Sequence, residues 1–240
     1  MRLKSRAPAP LAPAVRAGAA LLLLLSLLNA AFAHGVGDKD AAFVTASTGP
    51  QIVPFVYLGA KHMVTGFDHL LFLVGVIFFL QRLRAVALYV TVFSIGHSLT
   101  LLTGVLTDIH LNAHLVDAVI SLSVAYKGFD NLGGFKTIFG VQPNTAIAVM
   151  GFGLFHGFGL ATKLQELRMP KAGLIANMVS FNVGVEIGQF IALAIMLTMI
   201  TLWRKSPNFA QQALLANLLI FTAGIVLVEY QVAGYVFGAN

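Results

Sequence analysis

Apolar residues in this chain form six long runs separated by short polar stretches. A helix of about 20 apolar residues crosses the hydrocarbon core of a bilayer, and each run is close to that length or longer. The pattern therefore predicts an all-α polytopic membrane protein, with a six-helix transmembrane bundle over residues 54–240. The predicted spans are residues 60–80, 85–106, 113–131, 144–163, 173–203 and 211–237.

The beginning of the chain has the three-part pattern of a signal peptide. Four basic residues precede or flank an apolar stretch at 17–28, and Ala31-Phe32-Ala33 forms a small-x-small cleavage site. We predict that residues 1–33 are removed and that residues 34–53 form a short exported segment. The mature chain would then begin at His34, on the periplasmic side of a bacterial inner (plasma) membrane.

Composition agrees with membrane insertion and excludes several kinds of chemistry. The chain is 58% hydrophobic and 10% charged, with a mean hydropathy of +0.86, outside the range of soluble globular domains. Much of its positive charge lies in the predicted leader, and no basic-aromatic patch suggests nucleic acid as a partner. Because there is no cysteine, a thiolate metal site is excluded.

Polar side chains recur at one depth of the predicted bundle. At a rise of about 1.5 Å per residue, four of them lie about 10–14 Å from the exported ends of their helices: His69, His97, His156 and Asn182. Asp117 lies nearer the exported face and Glu186 deeper. Ionisable residues at such depths usually serve a function, although a single histidine could equally bond a neighbouring helix and Asp117 could cap its own helix.

These side chains predict a site for a divalent transition metal. Imidazole and carboxylate without sulfur suit nickel, zinc, copper(II), cobalt or iron(II), and a mature N-terminal histidine can chelate through its amine and its ring. The candidate ligands are His34, His62, Asp68, His69, His97, Asp117, His156, Asn182 and Glu186.

The first run cannot place its polar groups around one ion if its helix is straight. His62 and His69 share a face about two turns apart, and Asp68 points about 100° away. We therefore predict an entrance at His62 and a buried site where His69 meets His97 and His156. Gly66 is the residue at which the backbone could bend to bring Asp68 in.

A weak internal similarity indicates a three-plus-three inverted repeat. Residues 66–69 (GFDH) are similar to residues 151–156 (GFGLFH), and residues 93–96 (FSIG) to residues 181–184 (FNVG). An odd number of spans in each half inverts one half relative to the other, as in many transporters.

Several segments together resemble the HupE/UreJ family of nickel permeases. The spacing of His62, Asp68 and His69 and the Phe155-His156-Gly157 triplet carry the resemblance, with GFDHLLFL, FSIGHSLTL, SLSVAYKGFDN, LFHGFGLA and FNVGVEIGQ most similar to the second HupE/UreJ subfamily. The resemblance implies a metal-handling membrane protein with His62, Asp68, His69 and His156 as ligands and nickel as the ion. The chain departs from the nickel permeases after Gly157, where Phe158-Gly159-Leu160-Ala161 replaces a further histidine-containing motif.

Three functions are compatible with this sequence. The first is a transition-metal permease whose partners are the ion and the lipid bilayer. The second is a non-transporting accessory or assembly subunit that works with other membrane or metalloenzyme-maturation proteins. The third is an intramembrane zinc hydrolase, with Asp68 or Glu186 as general base.

Overall fold

The computed structural model describes residues 38–107, 109–166 and 171–238, and all regular secondary structure in these ranges is α-helical. The predicted signal peptide and His34 lie outside the described residues. In chain order, the helices are α1 (Asp38–Ala46), α2 (Ile52–Thr65), α3 (Phe67–Ile77), α4 (Leu83–Thr107), α5 (Ala113–Asn131), α6 (Gly134–Phe139), α7 (Thr145–Glu166), α8 (Leu174–Trp203) and α9 (Phe209–Phe237).

Among the described residues, four helices are long and apolar enough to cross a membrane: α4, α7, α8 and α9. Helices α2 and α3 together make a fifth candidate span with a bend of 64°. Large apolar side chains on the outer face of α8, such as Phe190 and Met199, are 68% and 65% exposed, as lipid-facing residues are. The protein is thus a helical membrane protein. Helix α5 carries three charged residues, so the count of six spans stays a prediction.

The first predicted span is not one helix. The backbone of Gly66 is extended, with φ −74° and ψ 97°, and its N–H donates to the His62 carbonyl at 2.8 Å, which closes α2. Helix α3 then begins at Phe67, and the Leu70 N–H donates a hydrogen bond to the Gly66 carbonyl. The prediction of a continuous helix over residues 60–80 is therefore wrong at Gly66.

Three helix pairs form the bundle: α2 with α8, α4 with α7, and α5 with α9. Glycines bring the backbones of all three pairs together. A Cβ atom at Gly184 would collide with the Val56 carbonyl, and one at Gly157 with the His97 carbonyl. Gly184 and Gly157 therefore serve helix packing, as small residues do in lipid.

A group of polar side chains lies beside the last turns of α3. Lys127, buried on α5 beside Gly75, forms an ion pair with Asp130, and Gln142 donates to the same carboxylate at 2.6 Å. These charges are satisfied locally and lie apart from the histidines.

Candidate metal centre

Three histidines from three helices meet in the middle of the bundle. His69 on α3, His97 on α4 and His156 on α7 are 3%, 1% and 1% exposed. The His69 ring centroid lies 4.6 Å from that of His156 and 5.8 Å from that of His97. The depth predicted from the sequence therefore corresponds to a shared position in space.

The break at Gly66 adds His62 to this group. On a straight helix about two turns would separate His62 from His69, a distance of about 10 Å along the axis. In the bent pair their ring centroids lie 5.1 Å apart, with an interplanar angle of 79°. His62 is therefore next to the buried histidines rather than at a separate site above them.

Asp68 fixes the orientation of the His69 ring. Its Oδ1 atom accepts from the His69 backbone N–H at 2.7 Å and from His69 Nδ1 at 2.8 Å. Because an ionised carboxylate can only accept, Nδ1 carries the proton and Nε2 keeps a lone pair. His69 Nε2 is buried and has no hydrogen-bond partner among the described residues, and a carboxylate behind a histidine is the usual support for a metal-binding imidazole.

Ser123 has a similar relation to His156. Its hydroxyl donates to the Ile120 carbonyl at 2.6 Å, and its oxygen lies 3.2 Å from His156 Nε2. A hydroxyl has one proton to donate, so His156 Nε2 must be the donor in the second contact and Nδ1 holds the lone pair. Ser123 was not predicted, since serines are common in membrane helices and its spacing gives no signal.

His97 is the least satisfied of the group. Neither Nδ1 nor Nε2 has a hydrogen-bond partner within the described ranges, although the side chain is almost completely buried. Leaving buried polar atoms unpaired is costly, so natural proteins rarely do it without a functional reason. A metal ion would satisfy such a nitrogen.

The side chains form two overlapping triads that share His69. One is His62, His69 and His97, and the other is Asp68, His69 and His156; within each, the ligand atoms lie within 4.8 Å of one another. Ligands held at about 2.1 Å from one ion are at most about 4.2 Å apart, so the His62–His69–His97 triad could close on an ion through small side-chain movements. The other triad could do so only after Asp68 releases His69 Nδ1. The residues present therefore fit a transition metal.

A comparison with known protein families identifies the family of this chain. A model of the HupE / UreJ protein family matches residues 38–239. The chain belongs to the HupE/UreJ family. The resemblance drawn from the sequence is thereby confirmed, and the family is associated with the uptake or handling of nickel or cobalt. No curated protein and no solved structure gave a significant match.

Three of the predicted ligands lie elsewhere in this HupE/UreJ protein. Asp117 pairs with Lys163, whose Nζ atom lies 3.1 Å and 3.3 Å from the two carboxylate oxygens. Asn182 is buried on α8, and its amide donates to the Met178 carbonyl at 3.1 Å. Glu186 is exposed because α8 turns Gly184 toward α2, and a residue two positions further on lies about 200° around the helix. None of the three belongs to either triad.

This placement predicts that the outlying carboxylates are dispensable for metal binding. The substitutions Glu186→Gln and Asp117→Asn should leave the dissociation constant for nickel(II) within about twofold of wild type, as expected of substitutions away from a site. Isothermal titration of the purified variants would check this. A large loss of affinity in either variant would show that its carboxylate reaches the ion.

Proposed function

We propose that this HupE/UreJ protein is a permease for a divalent transition-metal ion. The observation that carries the proposal is the meeting of four histidines and Asp68 inside a helical membrane bundle, with neither ring nitrogen of His97 hydrogen-bonded among the described residues. Ionisable side chains are expensive within a membrane and typically mark ion pathways. The five proposed ligands are His62, Asp68, His69, His97 and His156.

The ligand chemistry supports a narrow class of cargo. Imidazole nitrogen with a single carboxylate and no sulfur favours nickel, cobalt, zinc, copper(II) or iron(II). Calcium and magnesium would need more oxygen ligands than the two triads contain. The family association favours nickel or cobalt within this class.

The shared histidine supports transfer between two positions. An ion held by His62, His69 and His97 could exchange two ligands for Asp68 and His156 while His69 stays bound, once Asp68 has released its hydrogen bond to His69 Nδ1. Transport requires binding that is strong enough to remove water and weak enough to allow release. Neutral imidazoles in one triad and one carboxylate in the other meet that requirement.

A cavity supports His62 as the end at which the ion arrives. It is partly open, has a volume of about 230 Å³, and is lined by His62 together with Lys61, Asp40 and Thr65. Lys61 and Asp40 pair at 2.7 Å. By the topology predicted from the signal peptide, this cavity faces the exported side.

The glycine contacts support an inverted repeat. In the pairs α2–α8 and α4–α7, a glycine of each helix packs against a backbone carbonyl of the other. In α2–α8, Gly59 packs against the Phe181 carbonyl and Gly184 against the Val56 carbonyl. In α4–α7, Gly153 packs against the Phe93 carbonyl and Gly96 against the Met150 carbonyl. The number of positions from Gly59 to Gly153 equals the number from Val56 to Met150, so the two halves can be aligned on these contacts. The same alignment pairs His62 with His156, whereas the sequence similarity had paired His69 with His156.

Reconstitution into liposomes tests the proposed function. Purified protein should bind nickel(II) or cobalt(II), and proteoliposomes should accumulate the ion faster than empty liposomes. Zinc retained at one ion per chain without transport would instead favour the hydrolase. A stable co-purifying protein with no metal binding would favour the accessory subunit.

Metal binding should weaken in acid. A protonated imidazole has no lone pair for a metal, so protons and the ion compete for the same nitrogens. Titrations at decreasing pH should therefore give rising dissociation constants, and uptake should fall in parallel. Affinity that stays unchanged down to a pH at which the ligand histidines are themselves protonated would contradict histidine ligation.

A further inference from the structure

A layer of phenylalanines lies directly beside the buried histidines, on the side away from the His62 cavity. Each of the three central histidines has a phenylalanine one turn away along its own helix. The pairs are His69 with Phe72 on α3, His97 with Phe93 on α4, and His156 with Phe152 on α7. On α3 the phenylalanine follows the histidine, whereas on α4 and α7 the phenylalanine precedes the histidine. Because α3 runs antiparallel to α4 and α7, all three phenylalanine rings lie at one level.

The rings of this layer contact one another. The centroid of Phe72 lies 5.5 Å from that of Phe93 and 5.7 Å from that of Phe152. Phe93 also lies 5.1 Å from the His156 ring. Phe72 and Phe93 are 1% and 0% exposed, and the partly buried Phe152 packs against the same cluster, so apolar rings cover the histidines on this side.

Apolar packing continues beyond the phenylalanines. Val76, Val124 and Val149 are buried in the same cluster and are 4%, 0% and 2% exposed. A hydrated or partly hydrated ion cannot cross such a region, because an apolar constriction excludes water. The histidines are therefore next to a cavity on one side and closed off on the other.

We propose that Phe72, Phe93 and Phe152 form a hydrophobic gate on the predicted cytoplasmic side of the metal site, and that cargo leaves only when their rings separate. The proposal rests on the permease function. The inverted repeat adds support, since it makes His62 and His156 equivalent positions. One of them adjoins a cavity and the other adjoins Phe152, which is the asymmetry expected of one state of an alternating-access cycle.

A pair of matched variants tests the gate. Phe152→Ala removes a ring of the layer, and Phe129→Ala removes a ring that packs on Phe135 and Phe221 away from the histidines. Phe152→Ala should bind nickel(II) with wild-type affinity and should transport it in proteoliposomes several-fold faster than wild type. Phe129→Ala should match wild type in both measurements.

The outcomes separate the gate from the permease function. If Phe152→Ala binds nickel(II) normally and its flux is unchanged or lower, the gate is refuted and the permease stands. If wild type neither binds nor transports the ion, the proposed function itself fails.

A second measurement does not depend on removing a phenylalanine. The sequence contains no cysteine, so Val149→Cys introduces a single thiol within the apolar layer. A membrane-impermeant thiol reagent on the cytoplasmic side should label it slowly without metal and several-fold faster with nickel(II). Labelling that does not rise with nickel(II) would overturn the gate.

Discussion

Replacing His69 with alanine is expected to abolish nickel(II) binding and transport. His69 belongs to both triads, so its loss leaves neither with three ligands. Substitutions of residues that only support a ligand typically cost about 10–100-fold in metal affinity, and the loss of the shared ligand should exceed that range. Titration calorimetry and proteoliposome uptake would measure both effects.

The other histidines should show a graded pattern. His97→Ala disrupts one triad and His156→Ala the other, so each should weaken binding less than His69→Ala while still stopping transport. His114→Ala is the matched control, because His114 donates to Gln231 at 2.9 Å and is in neither triad. Equal losses in His69→Ala and His114→Ala would show that the effect is structural.

Replacing Gly157 with alanine is expected to destabilise the bundle strongly. The new methyl group would collide with the His97 carbonyl oxygen and the Thr100 hydroxyl, which forces α7 away from α4. Overpacking of this kind typically costs about 1–3 kcal/mol, and the shift would also disturb His97 and His156. The unfolding temperature in detergent and the affinity for nickel(II) should both fall.

Gly151 provides a control on the same helix. A Cβ atom there meets nothing within 4 Å, and alanine within a helix is favoured over glycine by about 0.5–1 kcal/mol. Gly151→Ala should therefore keep or raise the unfolding temperature. Equal destabilisation by both alanines would mean that the α4–α7 contact is not as close as described.

The positions of most helices were predictable because apolar runs of spanning length leave few alternatives in a membrane. The meeting of His69, His97 and His156 was also predictable, since equal depth in a small bundle restricts where side chains can lie. Periodicity gives relative directions on a helix but not which face meets a neighbour. For this reason the sequence could name Asp117 and Glu186 as candidate ligands but could not show whether they face the histidines.

The break at Gly66 was the main feature that sequence could not fix. An apolar run predicts a straight helix, and the glycine marked only where a bend was allowed. Tertiary packing of α2 against α8 and of α3 against α5 determines the actual angle of 64°. That angle brings His62 to the buried histidines, so it determines whether His62 can join the triad with His69 and His97.

The most direct measurement of the central claim is X-ray absorption at the metal edge of nickel-loaded protein. The account predicts a first shell that contains imidazole nitrogens in wild type and that loses imidazole in His97→Ala but not in His114→Ala, while His69→Ala should retain no bound nickel. A shell of oxygen ligands alone, or a spectrum that is unchanged in His97→Ala, would contradict a metal site at the centre of this bundle.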